Sequence, residues 1–353
     1  MSLDLGTFFV LLTTNPMMTL VVILNLIIIV VNGATDAPNA ISTVVSTRSL
    51  KPRTAILMAA SCNFIGLIVI SLFNTAVAHT IFNMVDFGGD THAALVAVLA
   101  AMVAIIVWGV AAWYFGLPAS QSHSLIAGLT GAAIALQGGI AGVNGAEWAK
   151  VIYGILLSTF MGFGLGWLGA QFIQRFFGGA NRRRADLAFR RTQIATSAAA
   201  AFMHGAQDGQ KFLSILYLAI ALSLGEDITQ SAELSAMPIW LMLMVAIFMG
   251  SGTAIGGERI IKNVGMNITK LEPYQGCVAS ASSVICLITA TFSGMPVSTT
   301  HANTTAIMGV GAARRAKSVK WSLAKDMVLT WILTFPGCGI MGWLFAEIFF
   351  LVL

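Results

Sequence analysis

Two stretches decide how this chain folds: "NGATDAPNA" at Asn32–Ala40 and "HGAQDGQK" at His204–Lys211. Each sets an aspartate, Asp36 or Asp208, three residues after a glycine and between long apolar runs. A carboxylate at the depth of a bilayer is costly, so its appearance at two matched positions points to function. Gly33 and Gly205 are expected to loosen a helix, and Pro38 cannot continue the hydrogen-bond ladder from the preceding turn. Asp36 is placed to cap a restarted helix, and Asp208 could do the same before Gly209. A break of this kind exposes carbonyls beside a carboxylate, a hard-oxygen site suited to Na⁺ or a proton.

The flanking sequence fixes the setting. Of 353 residues, 57% are apolar and only 9% are charged, where a soluble domain carries about 25% charged residues. The mean hydropathy is +0.86. Apolar runs of bilayer-spanning length are read at 17–47, 54–74, 93–114, 118–140, 150–172, 192–222, 237–256, 273–292, 296–313 and 326–352. Met1–Pro16 has no basic n-region, so no cleaved signal peptide is expected. The net charge of +5 does not indicate nucleic acid. Seventeen of the nineteen basic residues lie in four short connections, at 48–53, 175–191, 259–270 and 314–325. The positive-inside rule places those connections in the cytoplasm and both termini outside. Cys62, Cys277, Cys286 and Cys338 are scattered through apolar runs without metal spacing, which marks them as small buried hydrophobes.

A second pair of motifs repeats at nearly the same interval: "LPASQSH" at Leu117–His123 and "MPVSTTH" at Met295–His301. The aspartates are 172 positions apart and Pro118 and Pro296 are 178 apart. Two unrelated motifs recurring in one order indicate a duplication, with repeats at 1–174 and 192–353 joined by the basic linker 175–191. The first repeat crosses an odd number of times, so the second runs the opposite way. The expected fold is an all-α integral membrane protein, multi-pass in the cytoplasmic membrane. It has two inverted-topology repeats of about five spans each and interrupted or re-entrant half-helices, the pattern of many secondary transporters.

Pro118 and Pro296 read as first-turn prolines of half-helices. Leu117 and Met295 carry no capping oxygen, so the first N–H groups are left open for an anion. Ser120, Gln121 and Ser122, with Ser298, Thr299 and Thr300, add side-chain donors on the first turns. His123 and His301 are expected to hold the half-helices through a backbone carbonyl. His204 stands where the first motif has Asn32, and either packs or shapes the cation site. Lys211 has no cationic counterpart; it adds positive potential near the anion or snorkels. His79 and His92 are expected beside an outer loop.

With both motif pairs placed, the chain resembles the inorganic phosphate transporter (PiT) family, whose signature is a duplicated "GxxD" element with a paired "P-x-S-x-S/T-H" element. The resemblance implies uptake of inorganic phosphate coupled to Na⁺ or H⁺, an elevator-like or rocking movement, and a homodimer in the lipid bilayer. It implies no cofactor and no enzymatic activity. Carried over, Asp36, Asn39, Asp208 and Gln210 lie beside phosphate, and Ser120, Gln121, Ser122, Ser298, Thr299 and Thr300 donate to it. Asn32, Asp36, His204 and Asp208 form the cation site, with Na⁺ at Asp36 and Asp208. Thr35, Gln207 and Gln121 depart from the residues common in the family.

Rival functions leave different traces. A sulfate permease shares the half-helices, but sulfate has no proton to give a facing carboxylate, whereas phosphate near neutral pH has one. A passive anion channel needs no buried acids. A membrane hydrolase built on Ser122 or Ser298 is disfavoured because adjacent helical residues point apart, and no "HExxH" metalloprotease motif is present.

Overall fold

The computed structural model describes residues 4–88, 90–114, 119–224, 237–255, 261 and 268–353. Among them the elements are helices: α1 (Leu5–Thr14), α2 (Pro16–Thr35), α3 (Ala37–Ser46), α4 (Pro52–Phe73), α5 (Ala76–Phe82), α6 (Thr91–Tyr114), α7 (Gln121–Gln137), α8 (Gly145–Leu156), α9 (Gly162–Phe177), α10 (Arg182–Ser223), α11 (Ile239–Ile255), α12 (Pro273–Phe292), α13 (Thr299–Arg314) and α14 (Trp321–Val352). A π-turn at Leu157–Met161 joins α8 to α9. Every run read as a span falls on a helix or a joined pair of helices. The short α1 and α5 lie outside those runs.

Among the described residues six helical segments are long and apolar enough to cross a membrane: Pro16–Ser46, Pro52–Phe73, Thr91–Ala112, Gly145–Phe177, Pro273–Phe292 and Trp321–Val352. The distribution of polarity is inverted relative to a soluble protein. Leu57, Phe160 and Ile340 are more than 60% exposed, while Asn25, Asn32, Asn63, Asp208 and Lys211 are fully buried. An apolar exterior around a polar interior is what a bilayer solvent selects.

The helices meet in matched pairs. α2 packs on α11 and α10 on α4; α6 packs on α7 and α12 on α13; α7 packs on α14 and α13 on α9. Small residues set these approaches, because lipid supplies no hydrophobic drive between helices and close backbone contact must replace it. Gly33 lies against the Met249 carbonyl of α11, and Gly205 against the Asn63 carbonyl of α4. A side chain at either position would collide with backbone.

These two glycines correct the expected break. α10 runs unbroken for 42 residues through His204–Lys211, so Gly205 is a packing point, not a hinge, and Asp208 caps nothing. At 1.5 Å per residue α10 is about 63 Å long. Its first turns, Arg182–Arg191, therefore extend beyond a roughly 30 Å hydrocarbon core, and the expected linker is largely helical. In the first motif the interruption is a single residue. Asp36 itself has right-handed helical angles and its N–H still reaches the Asn32 carbonyl at 2.8 Å. Its side chain makes no capping bond.

Candidate functional site

α2, α3, α7, α10 and α13 bring both motif pairs to one buried place. Asp208 is its hub, and it is fully buried. Its Oδ2 accepts from Asn32 Nδ2 at 3.1 Å and from Thr299 Oγ1 at 3.5 Å, and lies 3.3 Å from His204 Nε2. Its Oδ1 accepts from Ser122 Oγ at 3.3 Å and pairs with Lys211 Nζ at 2.8 Å. Helical spacing explains part of this set, since His204 and Lys211 lie four residues before and three after Asp208, on one face. The rest comes from helices that only the fold brings near.

Asp36 is as deeply placed but differently served. Asn32 Nδ2 donates to its Oδ2 at 3.4 Å, as well as to Asp208, so one amide bridges the two acids. Thr35 Oγ1 lies 3.4 Å from its Oδ1, and the backbone N–H of Gln121, first residue of α7, faces the carboxylate. Among the described residues, no Lys, Arg or His forms an ion pair with Asp36.

The first turns of α7 and α13 differ from expectation. Pro118 lies outside the described residues. Pro296 is not in a helical turn, because α13 starts at Thr299. Ser298 is its N-cap and accepts from the His301 N–H at 3.2 Å, closing one of the N–H groups expected to be free. Ser120 is the N-cap of α7 but makes no such bond, and its buried hydroxyl has no partner among the described residues. α7 therefore presents the more open N-terminus.

Contacts across the two motif sets are reciprocal. Asn39 Nδ2 donates to Thr300 Oγ1 at 2.8 Å, and Lys211 Nζ donates to Ser122 Oγ at 2.8 Å. Counted from the aspartates, Lys211 corresponds to Asn39; counted from the prolines, Ser122 corresponds to Thr300. Beyond Asn39 a buried polar seam continues along α3. Thr43 Oγ1 lies 2.8 Å from Ser280 Oγ, and Thr47 Oγ1 donates to Gln193 Oε1 at 2.9 Å. Arg190, on the basic stretch of α10, closes it by donating to the Thr47 carbonyl at 2.9 Å.

Several expected roles change. Gln210 points away from the hub: its Nε2 donates to the Asn74 carbonyl at 2.7 Å and its Oε1 accepts from the Ala78 N–H at 3.4 Å, tethering α5. Lys211 is fully buried and does not snorkel. His123 and His301 hold no carbonyl. Their rings meet edge to face with centroids 4.5 Å apart, and all four ring nitrogens are buried without hydrogen-bond partners among the described residues. His301 also lies against Trp331, and His123 against Phe335, both on α14. His92 is exposed and His79 half-buried.

Two contributors escaped the sequence. Asn303 donates to the Asn39 carbonyl, and it could have been found, because it lies one helical turn after Thr299 and shares its face. Asn63 on α4 holds His204 by a 3.2 Å contact between its Oδ1 and the ring Nδ1, and donates to Thr253 Oγ1 at 2.9 Å. A lone asparagine in an apolar run carried no motif to flag it.

Buried donors, paired acids and a membrane-facing exterior suit the passage of a small anion rather than bond chemistry. Ser122 Oγ is engaged by Lys211 and Asp208 rather than by a histidine, and the relatives are transporters. The chain is 38% identical over 334 residues to a "probable low-affinity inorganic phosphate transporter" of Bacillus subtilis, covering 92% of this chain and 97% of that one. A relative of the same description from Rhizobium meliloti is 36% identical, with 88% and 90% covered. Among solved structures, "the sodium-dependent phosphate transporter" superposes with a TM-score of 0.84 over 96% of this chain and all of that one, at 22% identity, which establishes a shared fold. Residues 32–342 match the phosphate transporter family, from the first aspartate motif to α14. The chain belongs to the phosphate transporter family.

Proposed function

We propose that the chain is a secondary transporter that carries inorganic phosphate across the cell membrane together with Na⁺ or H⁺. The observation that carries this reading is Asp36, a buried carboxylate without a paired cation among the described residues. A bare carboxylate in a low-dielectric interior either binds a cation or takes up a proton. It lies beside the uncapped start of α7, where backbone N–H groups favour an anion. A cation at Asp36 would then shield that carboxylate from the anion at one buried place, and neither ion would move cheaply alone. Ser122, Thr299 and Thr300, with the α7 N-terminus, supply the phosphate donors; Ser298 and Gln210 support the scaffold.

The reciprocal helix pairs and the reciprocal contacts Asn39–Thr300 and Lys211–Ser122 support the inverted-repeat topology. In that topology the repeats occupy 1–174 and 192–353. The four basic connections face the cytoplasm and both termini lie outside. The transporter works as a homodimer in the lipid bilayer, as the resemblance implies.

The test is labelled-phosphate uptake into proteoliposomes, with Na⁺ and pH gradients imposed separately. One gradient is expected to drive accumulation, and Asp36→Asn to reduce driven uptake to background while the protein still inserts. Uptake that ignores both gradients indicates a channel. An equal rate for sulfate removes the phosphate preference.

A further inference from the structure

We infer that Lys211 is a built-in cation occupying one of two matched cation positions, so that the chain takes its coupling ion at the Asp36 position only. This rests on the symport reading above and specifies its stoichiometry.

The surroundings of the Lys211 ammonium make the case. Its three N–H groups have three oxygen partners: Asp208 Oδ1 at 2.8 Å, Ser122 Oγ at 2.8 Å and the Val297 carbonyl at 2.5 Å. A carboxylate, a hydroxyl and a backbone carbonyl converging at these distances are the donor set that a hard metal cation selects. An ammonium has three donors and no acceptor, so it satisfies such a pocket completely. The side chain is fully buried, and it acts as a fixed ligand that cannot diffuse away.

The other half of the site has the same parts without the ammonium. By motif register, the equivalents of Asp208, Ser122 and Val297 are Asp36, Thr300 and Ala119. The equivalent of Lys211 is Asn39, whose amide donates to Thr300 at 2.8 Å and carries no charge. Asn32 bridges the two carboxylates; with His204, 3.3 Å from Asp208, as the neutral imidazole, Lys211 neutralises Asp208 and one negative charge is left, at Asp36. One mobile monovalent cation balances it. With an asparagine at position 211, both acids would need one.

The experiment uses the full chain in proteoliposomes and measures the cation carried per phosphate, from paired fluxes of labelled phosphate and labelled Na⁺, or of phosphate and protons. Lys211→Asn is expected to raise that ratio by one cation. Asp208→Asn strands a buried ammonium and is expected to cut uptake by well over about tenfold, as breaking a buried pair does. Combining the two removes both charges, and is expected to recover uptake at least roughly tenfold over Asp208→Asn, at the wild-type ratio. A Lys211→Asn variant that transports at an unchanged ratio overturns the inference. If Lys211→Asn does not transport, the combined variant decides. Uptake no better than that of Asp208→Asn, at equal amounts of inserted protein, overturns it as well. Wild-type uptake that follows neither cation gradient is a different failure, that of the symport reading itself.

Discussion

Asn32 joins the site: one amide donating to two acids spaces them without neutralising either. Asn39 does the corresponding work between α3 and α13, through Thr300 and the Asn303 contact. A single amide–hydroxyl bond is worth about 1 kcal/mol, so Asn39→Ala is expected to lower phosphate uptake about fivefold with little change in the amount of inserted protein. Initial rates at limiting phosphate would check this, and an unchanged rate would show that the α3–α13 bond is not used in transport. At this scale the sequence was informative where residues recur. Asp36 with Asp208, and Ser122 with Thr300, recur in register and in kind, whereas Asn32 faces His204 and Thr299 faces Gln121 across the repeat. Gln210, set beside phosphate by the resemblance, tethers α5 instead, because position in a motif does not say which way a side chain turns on its helix.

Elements here are held by close backbone approach more than by side-chain bulk. Gly205 on α10 lies against the Asn63 carbonyl, and Gly66 on α4 lies against the Phe202 carbonyl, so the α4–α10 crossing has a glycine on each side. Overpacking a tight interface costs about 1–3 kcal/mol, and Gly205→Val also pushes on the residue that orients His204. A lower melting temperature in detergent, together with slower uptake, is the expected outcome. A variant as stable as wild type would mean that α4 and α10 can separate freely. The same glycine explains why the predicted break in α10 does not occur. Glycine inside a helix costs about 1 kcal/mol relative to alanine, which the contact with α4 offsets. In the first motif Pro38 forces the interruption that Gly209 and Gln210 do not force in the second.

For the whole molecule, the arrangement follows from the solvent. Large apolar side chains face outward, and the polar groups collect along α2, α3, α7, α10 and α13. The basic turns at the start of α10 end the polar seam that begins at Asn39. The proposed orientation sets those turns in the cytoplasm, so Ala180→Cys should react with a membrane-impermeant maleimide only from the inner side, and Ile140→Cys, 80% exposed in wild type, only from the outer side. Labelling of both from one side would overturn the inverted topology.

The sequence by itself determined that this chain lives in a membrane, that its motifs are duplicated, and that acids and hydroxyl donors belong to a shared site. Composition, loop charge and spacing are local quantities, and a bilayer reads them locally. Tertiary structure alone decided that α10 is continuous, that Ser298 caps its own helix, and that His123 and His301 pack against each other. It also decided that Lys211 turns inward onto Asp208. That choice depends on the Val297 carbonyl and the Ser122 hydroxyl, which lie 86 and 89 positions away. An ammonium can be buried only where such distant oxygens converge to replace its water.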